Sequence, residues 1–426
     1  MASQTDDARR PVVTGMGIVS PLGMDLDGVW NGLLEKRTGV GPMPYFDVSE
    51  YPAQFAACVR DFDVAPYVDS REAKRMARFT QFAVAAAQRA VAHAGLDLSA
   101  CDPTRVGAEI GSAVGGLGLI EQQSIAMLEK GPRKVNPTLV PMVIVNMAAC
   151  QVSICLGLKG PVASPVAACA TGLVAIGEAA RRLQFGEADV MLAGGTESVD
   201  TPVGMAAFAR LGALSTLNEA PERACRPFDL NRDGTVLGEG AAVLVLETLA
   251  HARARGAAIL GEVMGYGLTG DAYHVAAPEP SGDGAARAIQ AALRASKLNP
   301  EDVDYIAAHG TGTPLNDLSE TLAIKTALGA HAYRIPISSN KPAVGHMLGA
   351  AGAFSVAVVL MTIQHNVVPP TANLETPDPA CDLDYVPGGA SPGSSGRWSG
   401  QRLWLWRTKR LCGFEAFHWI GRLLCG

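Results

Sequence analysis

Val162-Ala163-Ser164-Pro165-Val166-Ala167-Ala168-Cys169-Ala170-Thr171-Gly172 is the stretch on which the reading of this chain turns. A small, apolar run ends at Cys169, and Gly172-Leu173-Val174-Ala175-Ile176-Gly177-Glu178-Ala179-Ala180 reads as a helix with small residues on its packing faces. A strand that turns sharply into a buried helix leaves the turn residue at the helix N-terminus. There, unpaired N–H groups and the positive end of the dipole favour a thiolate over a thiol. Most unpaired cysteines are instead small buried hydrophobes, and standing alone the stretch reads that way. Two histidine motifs downstream reverse the preference.

Working outward, 426 residues suffice for one large domain or two similar halves. A hydrophobic fraction of 48% against 18% charged residues marks a globular chain with much buried surface. A net charge of −6 supplies no basic footprint for nucleic acid. No apolar run approaches the roughly 20 residues of a membrane span. The polar segment Met1 to Arg10 lacks a signal-peptide core, so a cytoplasmic protein is expected. The nine cysteines include no CxxC pair, which suits reduced thiols better than disulfides or a zinc site.

A short β-branched strand followed by a Gly-rich turn is expected within Pro11–Gly23, and buried strands at Val106–Ser112, Ala188–Glu197, Ala241–Leu246, Ile259–Gly265 and Asp304–His309, alternating with helices. Gly15-Met16-Gly17 lacks the third glycine that would open a nucleotide-binding helix, and that reading is rejected. The pattern Asp304–His309 followed by Gly-Thr-Gly-Thr echoes Val190–Thr196, suggesting an internal duplication and an α/β protein of two halves. Arg71-Glu72-Ala73-Lys74-Arg75-Met76-Ala77-Arg78 is expected to start a long helix ending at His93. Its four cations suit either a solvated face or a dock for an acidic partner.

His309-Gly310-Thr311-Gly312-Thr313-Pro314 puts a histidine at a strand end, beside glycines that let a substrate approach the backbone. In Ser338-Ser339-Asn340-Lys341-Pro342-Ala343-Val344-Gly345-His346, the histidine opens a helix of small residues, a position that keeps imidazole neutral. Two such histidines with a helix-N-terminal cysteine form a constellation for thiol chemistry.

These three motifs, in this order, resemble those of the β-ketoacyl-acyl carrier protein synthases, from about Val12 to Val386. The segments Gly116–Glu121, Gly131–Lys134, Val143–Met147 and Asp271–His274 are similar to the elongating type II subgroup. The resemblance implies a thiolase-like fold, a five-layered α-β-α-β-α sandwich of two similar halves. The first half, residues 11–258, carries the nucleophile; the second, residues 259–388, carries both histidines. It further implies a decarboxylative Claisen condensation. Cys169 accepts an acyl group, and His309 and His346 hold the malonyl thioester oxygen as negative charge develops. Lys341 is expected to act electrostatically, with Glu320 as its acidic partner. Thr311 and Thr313 resemble the hydroxyls that bind the phosphopantetheine arm. The docking residues for acyl carrier protein become Arg71, Lys74, Arg75, Arg133 and Lys134. No metal and no resident cofactor are implied, since phosphopantetheine arrives on the carrier, and a homodimer is. Two readings stay beside fatty acid elongation: a ketosynthase subunit of a type II polyketide synthase, and a catalytically impaired homologue. A chain-length factor would lack the cysteine, and a thiolase would typically carry a second catalytic one.

The chain departs from the family after about Gly388. Such enzymes end with a Gly-Phe-Gly-Gly loop and a final strand, which supply a pocket gate and a backbone oxyanion donor. Here residues 389–426 hold four of the five tryptophans (Trp398, Trp404, Trp406, Trp419) among arginines. Leu403–Arg410 can be encoded by CTTTGGCTTTGGCGGACAAAACGC, which one base later reads Phe-Gly-Phe-Gly-Gly-Gln-Asn. The tail therefore reads as out of frame.

Overall fold

The computed structural model describes residues 7–388 and a short strand, Arg410–Leu411. The other tail positions named above lie outside the described residues.

The molecule is organised around a seven-stranded mixed sheet. Its order is Arg410–Leu411, Gly261–Val263, Pro11–Val19, Gly240–Thr248, Val190–Glu197, Val106–Gly111 and Val162–Ala163. The strands Pro11–Val19 and Gly240–Thr248 pair antiparallel, while Val106–Gly111 runs parallel to both of its neighbours. Every residue of Pro11–Val19, Val190–Glu197 and Gly240–Thr248 is buried. That explains their continuous apolar text: a strand covered on both faces has no solvent side to alternate with.

Five layers follow from what packs on what. The helices Arg78–His93 and Met147–Leu156 cover one face of the large sheet through Phe82, Ala86, Ala148 and Val152. Its other face packs on the helices Thr171–Phe185 and Ala351–His365. The second of them, Ala351–His365, also packs on a small parallel sheet, Ile306–Ala307 with Ile337–Ser338. The helices Asp283–Ser296 and Pro314–Leu328 close the far side. This is the thiolase-like α-β-α-β-α order. A helix held between two sheets must be apolar all round. The stretch Leu348–His365, at 18 residues and mean hydropathy 1.5, is accordingly long and apolar enough to cross a membrane, although no run of that kind was expected from the sequence. It is 83% buried inside the protein, which makes it a core helix.

The expected long helix Arg71–His93 is interrupted. Asp69 caps a four-residue helix, Ser70–Ala73, by accepting the N–H groups of Arg71 and Glu72. Ala77 is extended, with ψ 160°, and the helix Arg78–His93 starts afresh. Gln81 holds the break by donating to the carbonyls of Ala73 and Met76. One of the four cations is thereby removed from the surface face. Arg78 turns inward and bonds the buried Glu239 at 2.9 Å, the Tyr45 hydroxyl at 2.7 Å and the Val59 carbonyl at 2.6 Å.

Candidate active site

Cys169 lies in a 3-10 turn, Ala168–Ala170, that runs directly into the helix Thr171–Phe185. The turn is tight: Ala168 takes φ +48°, a left-handed conformation that costs a residue with a Cβ of order 1–3 kcal/mol. The Thr171 hydroxyl locks it by accepting the Ala167 N–H at 2.9 Å. Cys169 is thus presented at the helix start, partly exposed, between two buried neighbours, Ala167 and Ala170. The helix can press into the core there because its packing side is glycine and alanine.

His346 is fixed by its backbone. Its N–H donates to the Val236 carbonyl at 2.7 Å and its carbonyl accepts the Gly238 N–H at 2.9 Å. The Nε2 of its ring stands 2.9 Å from Cys169 Sγ. The sequence places this histidine at a helix start, but a bridge holds it and the helix Ala351–His365 opens further on. Burial, and then the positive charge of Lys341, push the imidazole well below its ordinary 6.5. His346 is therefore neutral at working pH, on account of desolvation and a buried cation.

His309 follows the strand Ile306–Ala307, its ring edge-on to that of His346 with centroids 5.2 Å apart. Glu320, fully buried on the helix Pro314–Leu328, accepts the backbone N–H groups of His309 at 2.7 Å and Gly310 at 2.8 Å. The Ser339 hydroxyl donates to the Gly310 carbonyl at 2.8 Å, so the turn is held from both sides. Burial pushes Glu320 up to about 7 against those donors, and the nearby charge of Lys341 pulls it down. Lys341 itself is buried at 1% exposure and opens the short helix Lys341–Val344. The hydroxyls of Thr311 and Thr313 face one another at 3.0 Å, the first buried and the second half-buried.

The structure brings Cys169, His309 and His346 together: their ligating atoms all lie within 4.8 Å of one another. A soft divalent ion could be held by such a set, and so could the reacting carbonyl of a thioester. Arg71, Lys74, Arg75, Arg133 and Lys134 are all exposed and apart from this cluster, Arg75 pairing with Glu72 at 3.0 Å. The sequence reading missed Glu197, a fully buried carboxylate behind the site, whose only signal is an acid closing the Gly-Gly-Thr strand end. It also missed the apolar wall of Val199, Met205 and Leu348 on which Cys169 and Ala113 pack.

Comparison with known proteins bears on what such a site does. The family model described as beta-ketoacyl synthase, N-terminal domain, matches residues 8–252, and the model for the C-terminal domain matches residues 260–375. A Synechocystis protein named 3-oxoacyl-acyl-carrier-protein synthase 2 is 50% identical over 382 residues, covering 90% of this chain and 92% of the relative. Its namesake from Coxiella burnetii is 48% identical, covering 89% and 92%. Among solved structures, a beta-ketoacyl synthase from Burkholderia phymatum superposes with TM-score 0.83 at 38% identity, covering 89% of this chain and 92% of that one. A type II polyketide ketosynthase, solved in complex with its acyl-carrier protein, gives TM-score 0.83 at 34% identity, covering 90% and 94%.

Proposed function

The chain belongs to the β-ketoacyl synthase family, and from that premise we propose how its residues carry out the elongating condensation. The reaction is a two-step acyl transfer. Cys169 Sγ attacks the carbonyl of an acyl thioester, the carrier thiol leaves with a proton, and the acyl group stays on Cys169 as a thioester. Malonyl-acyl carrier protein then enters and loses carbon dioxide. The electron pair left behind forms a carbon–carbon bond to the acyl carbonyl. The carbon–sulfur bond breaks, regenerating the thiolate and releasing β-ketoacyl-acyl carrier protein.

Charge appears on the malonyl thioester oxygen in the second step, and two neutral donors suit it better than cations. A neutral imidazole stabilises the enolate without quenching it as an acid would. The observation that carries this reading is the closeness of the two histidines to the cysteine, with His346 held neutral. Lys341 is assigned the electrostatic task of depressing His346, and Glu320 that of holding the His309 turn. Thr311 and Thr313 are assigned to the phosphopantetheine arm, and no resident cofactor or metal takes part.

Acyl carrier protein is the partner, as one structural relative's complex suggests, with Arg71, Lys74, Arg75, Arg133 and Lys134 as its landing charges. A cytoplasmic homodimer is the working form. Its support is the set of exposed apolar side chains Leu128, Val140 and Ile154, together with Val162–Ala163 as the last strand of the large sheet. Fatty acid elongation is favoured over polyketide synthesis by identities of 48–50% to fatty acid enzymes against 34% to the polyketide ketosynthase.

The test is loading of wild type and Cys169→Ala with acyl carrier protein, read by intact mass, followed by malonyl condensation. Loading of the wild type alone supports the assignment, and equal labelling overturns it. Loading without condensation selects the impaired-homologue reading.

A further inference from the structure

Four segments meet behind Cys169 with almost no side chains between them. A Cβ on Gly195 would stand 2.0 Å from the Gly349 carbonyl oxygen and 3.1 Å from Gly172 Cα. A Cβ on Gly349 would stand 2.7 Å from the Ala113 nitrogen. The strand Val190–Glu197, the Cys169 helix, the turn after His346 and the loop after Val106–Gly111 therefore touch backbone to backbone. Glu197 is the charged group at this crossing. Its Oε1 accepts from the Ser112 hydroxyl at 2.7 Å and from the Val114 N–H at 3.5 Å. Its Oε2 accepts the N–H groups of Ala113 at 2.8 Å and Gly349 at 3.2 Å. One oxygen thus joins the Ser112–Val114 loop to the turn that carries Leu348.

Both joined segments share an apolar cluster with Cys169. Ala113, Leu348 and Cys169 pack on the same apolar cluster with Val199 and Met205, so an acyl group on Cys169 would lie along that wall. Leu348 is held at φ +44°, a strained conformation that needs an external restraint, and the bond to Gly349 lies directly beside it.

We propose that Glu197 is a positioning residue whose carboxylate ties the Ser112–Val114 loop to the Gly349 turn and so sets the width of the acyl-chain space beside Cys169. The proposal deepens the ketosynthase reading and rests on it. Reach decides its effect more than charge. Aspartate keeps the charge but is one methylene too short to bridge both segments. Glutamine can keep its oxygen on Ala113 and Gly349 while its amide donates to the Ser112 hydroxyl, which turns to accept it, and only the long 3.5 Å contact with the Val114 N–H is given up. Burial, which pushes Glu197 up to about 7 against its four donors, agrees with a carboxyl whose neutral isostere is tolerated.

The experiment compares wild type, Glu197→Asp, Glu197→Gln and Ser112→Ala in the full chain. Alkylation of Cys169 by N-methyl and N-dodecyl iodoacetamide is followed by peptide mass spectrometry, each rate normalised to the exposed Cys155. Glu197→Asp should lower the dodecyl-to-methyl rate ratio about tenfold, the factor that corresponds to losing one bond to a charged group. Glu197→Gln should stay within about threefold of wild type, because it keeps that bond. Ser112→Ala should fall between them, and it carries the test should Glu197→Asp fail to melt cooperatively. Unchanged ratios in folded variants, equal slowing of both reagents, or a larger effect of Gln than of Asp overturns the proposal. Failure of Cys169 to load from acyl carrier protein would instead overturn the underlying reading, and the two outcomes are read separately.

Discussion

Replacing Glu320 by glutamine should separate stability from activity, and the separation should grow with pH. The Glu320 carboxyl is raised from an ordinary 4.5 to about 7, with burial the largest cause. The N–H groups of Gly310 and His309 and the charge of Lys341 oppose the rise, and Asp317 adds to it. Between those pH values the unfolded chain releases its proton while the folded protein keeps it. The stabilisation tied to that proton is therefore complete below about pH 4.5, lost as pH climbs to about 7, and flat above. At about 1.4 kcal/mol per pH unit, the loss comes to about 3 kcal/mol. Glutamine has no proton to release. In urea melts at pH 4.5, 6, 7 and 8, Glu320→Gln should therefore gain about 3 kcal/mol on wild type across the series. Titrations common to both proteins cancel in the difference. Activity should move the other way. The amide has one acceptor oxygen for two backbone donors, so one of the His309 and Gly310 N–H groups must face an NH2. The turn carrying His309 should shift, and condensation at pH 8 should fall about tenfold, as for about 1.4 kcal/mol of lost positioning. A stability difference that stays constant with pH would refute the reasoning, since Glu320 would then titrate alike in folded and unfolded chains.

Three further outcomes are expected. Reversing Arg71 and Lys74, or Arg133 and Lys134, to glutamate should raise KM for acyl carrier protein about tenfold with kcat unchanged, an effect that fades at high salt. An unaltered KM would remove these cations from the dock. Gly195→Ala should lower the melting midpoint strongly, because its Cβ meets the rigid Gly349 carbonyl at 2.0 Å and overpacking of this kind costs about 1–3 kcal/mol or more. A wild-type melt would show that the four segments can move apart. Resequencing the gene near the codon for Gly388 should reveal a shifted frame. A chain ending in the restored Phe-Gly-Phe-Gly-Gly text should turn over on the order of a hundredfold faster, the worth of one oxyanion donor. Equal turnover would show that the tail as written supplies that donor.

Strands were legible wherever burial on both faces wrote a continuous apolar run, as in Pro11–Val19 and Gly240–Thr248. Helix interruptions were less so. Nothing in Arg71–Arg78 breaks the helical period, and the break is made by tertiary bonds, from Gln81 back to Ala73 and Met76 and from Arg78 to Glu239. A period-based reading has no access to a partner 161 residues away. The nucleophile and its two histidines could be named from motifs, because the chemistry demands particular residue types beside glycines. The cause of the neutral His346 could not. Local sequence points to a helix end, whereas desolvation and Lys341 do the work, and both depend on packing. Glu197 escaped notice for the same reason. On a strand between Thr196 and Ser198 it is an unremarkable acid, and only when the Ser112 loop and the Gly349 turn close over it does one carboxylate face four donors. What a linear reading recovers, then, are residues whose identity the reaction fixes. Residues that hold them in place are fixed by distance, and those emerge only once distant segments share a crossing with no room for side chains.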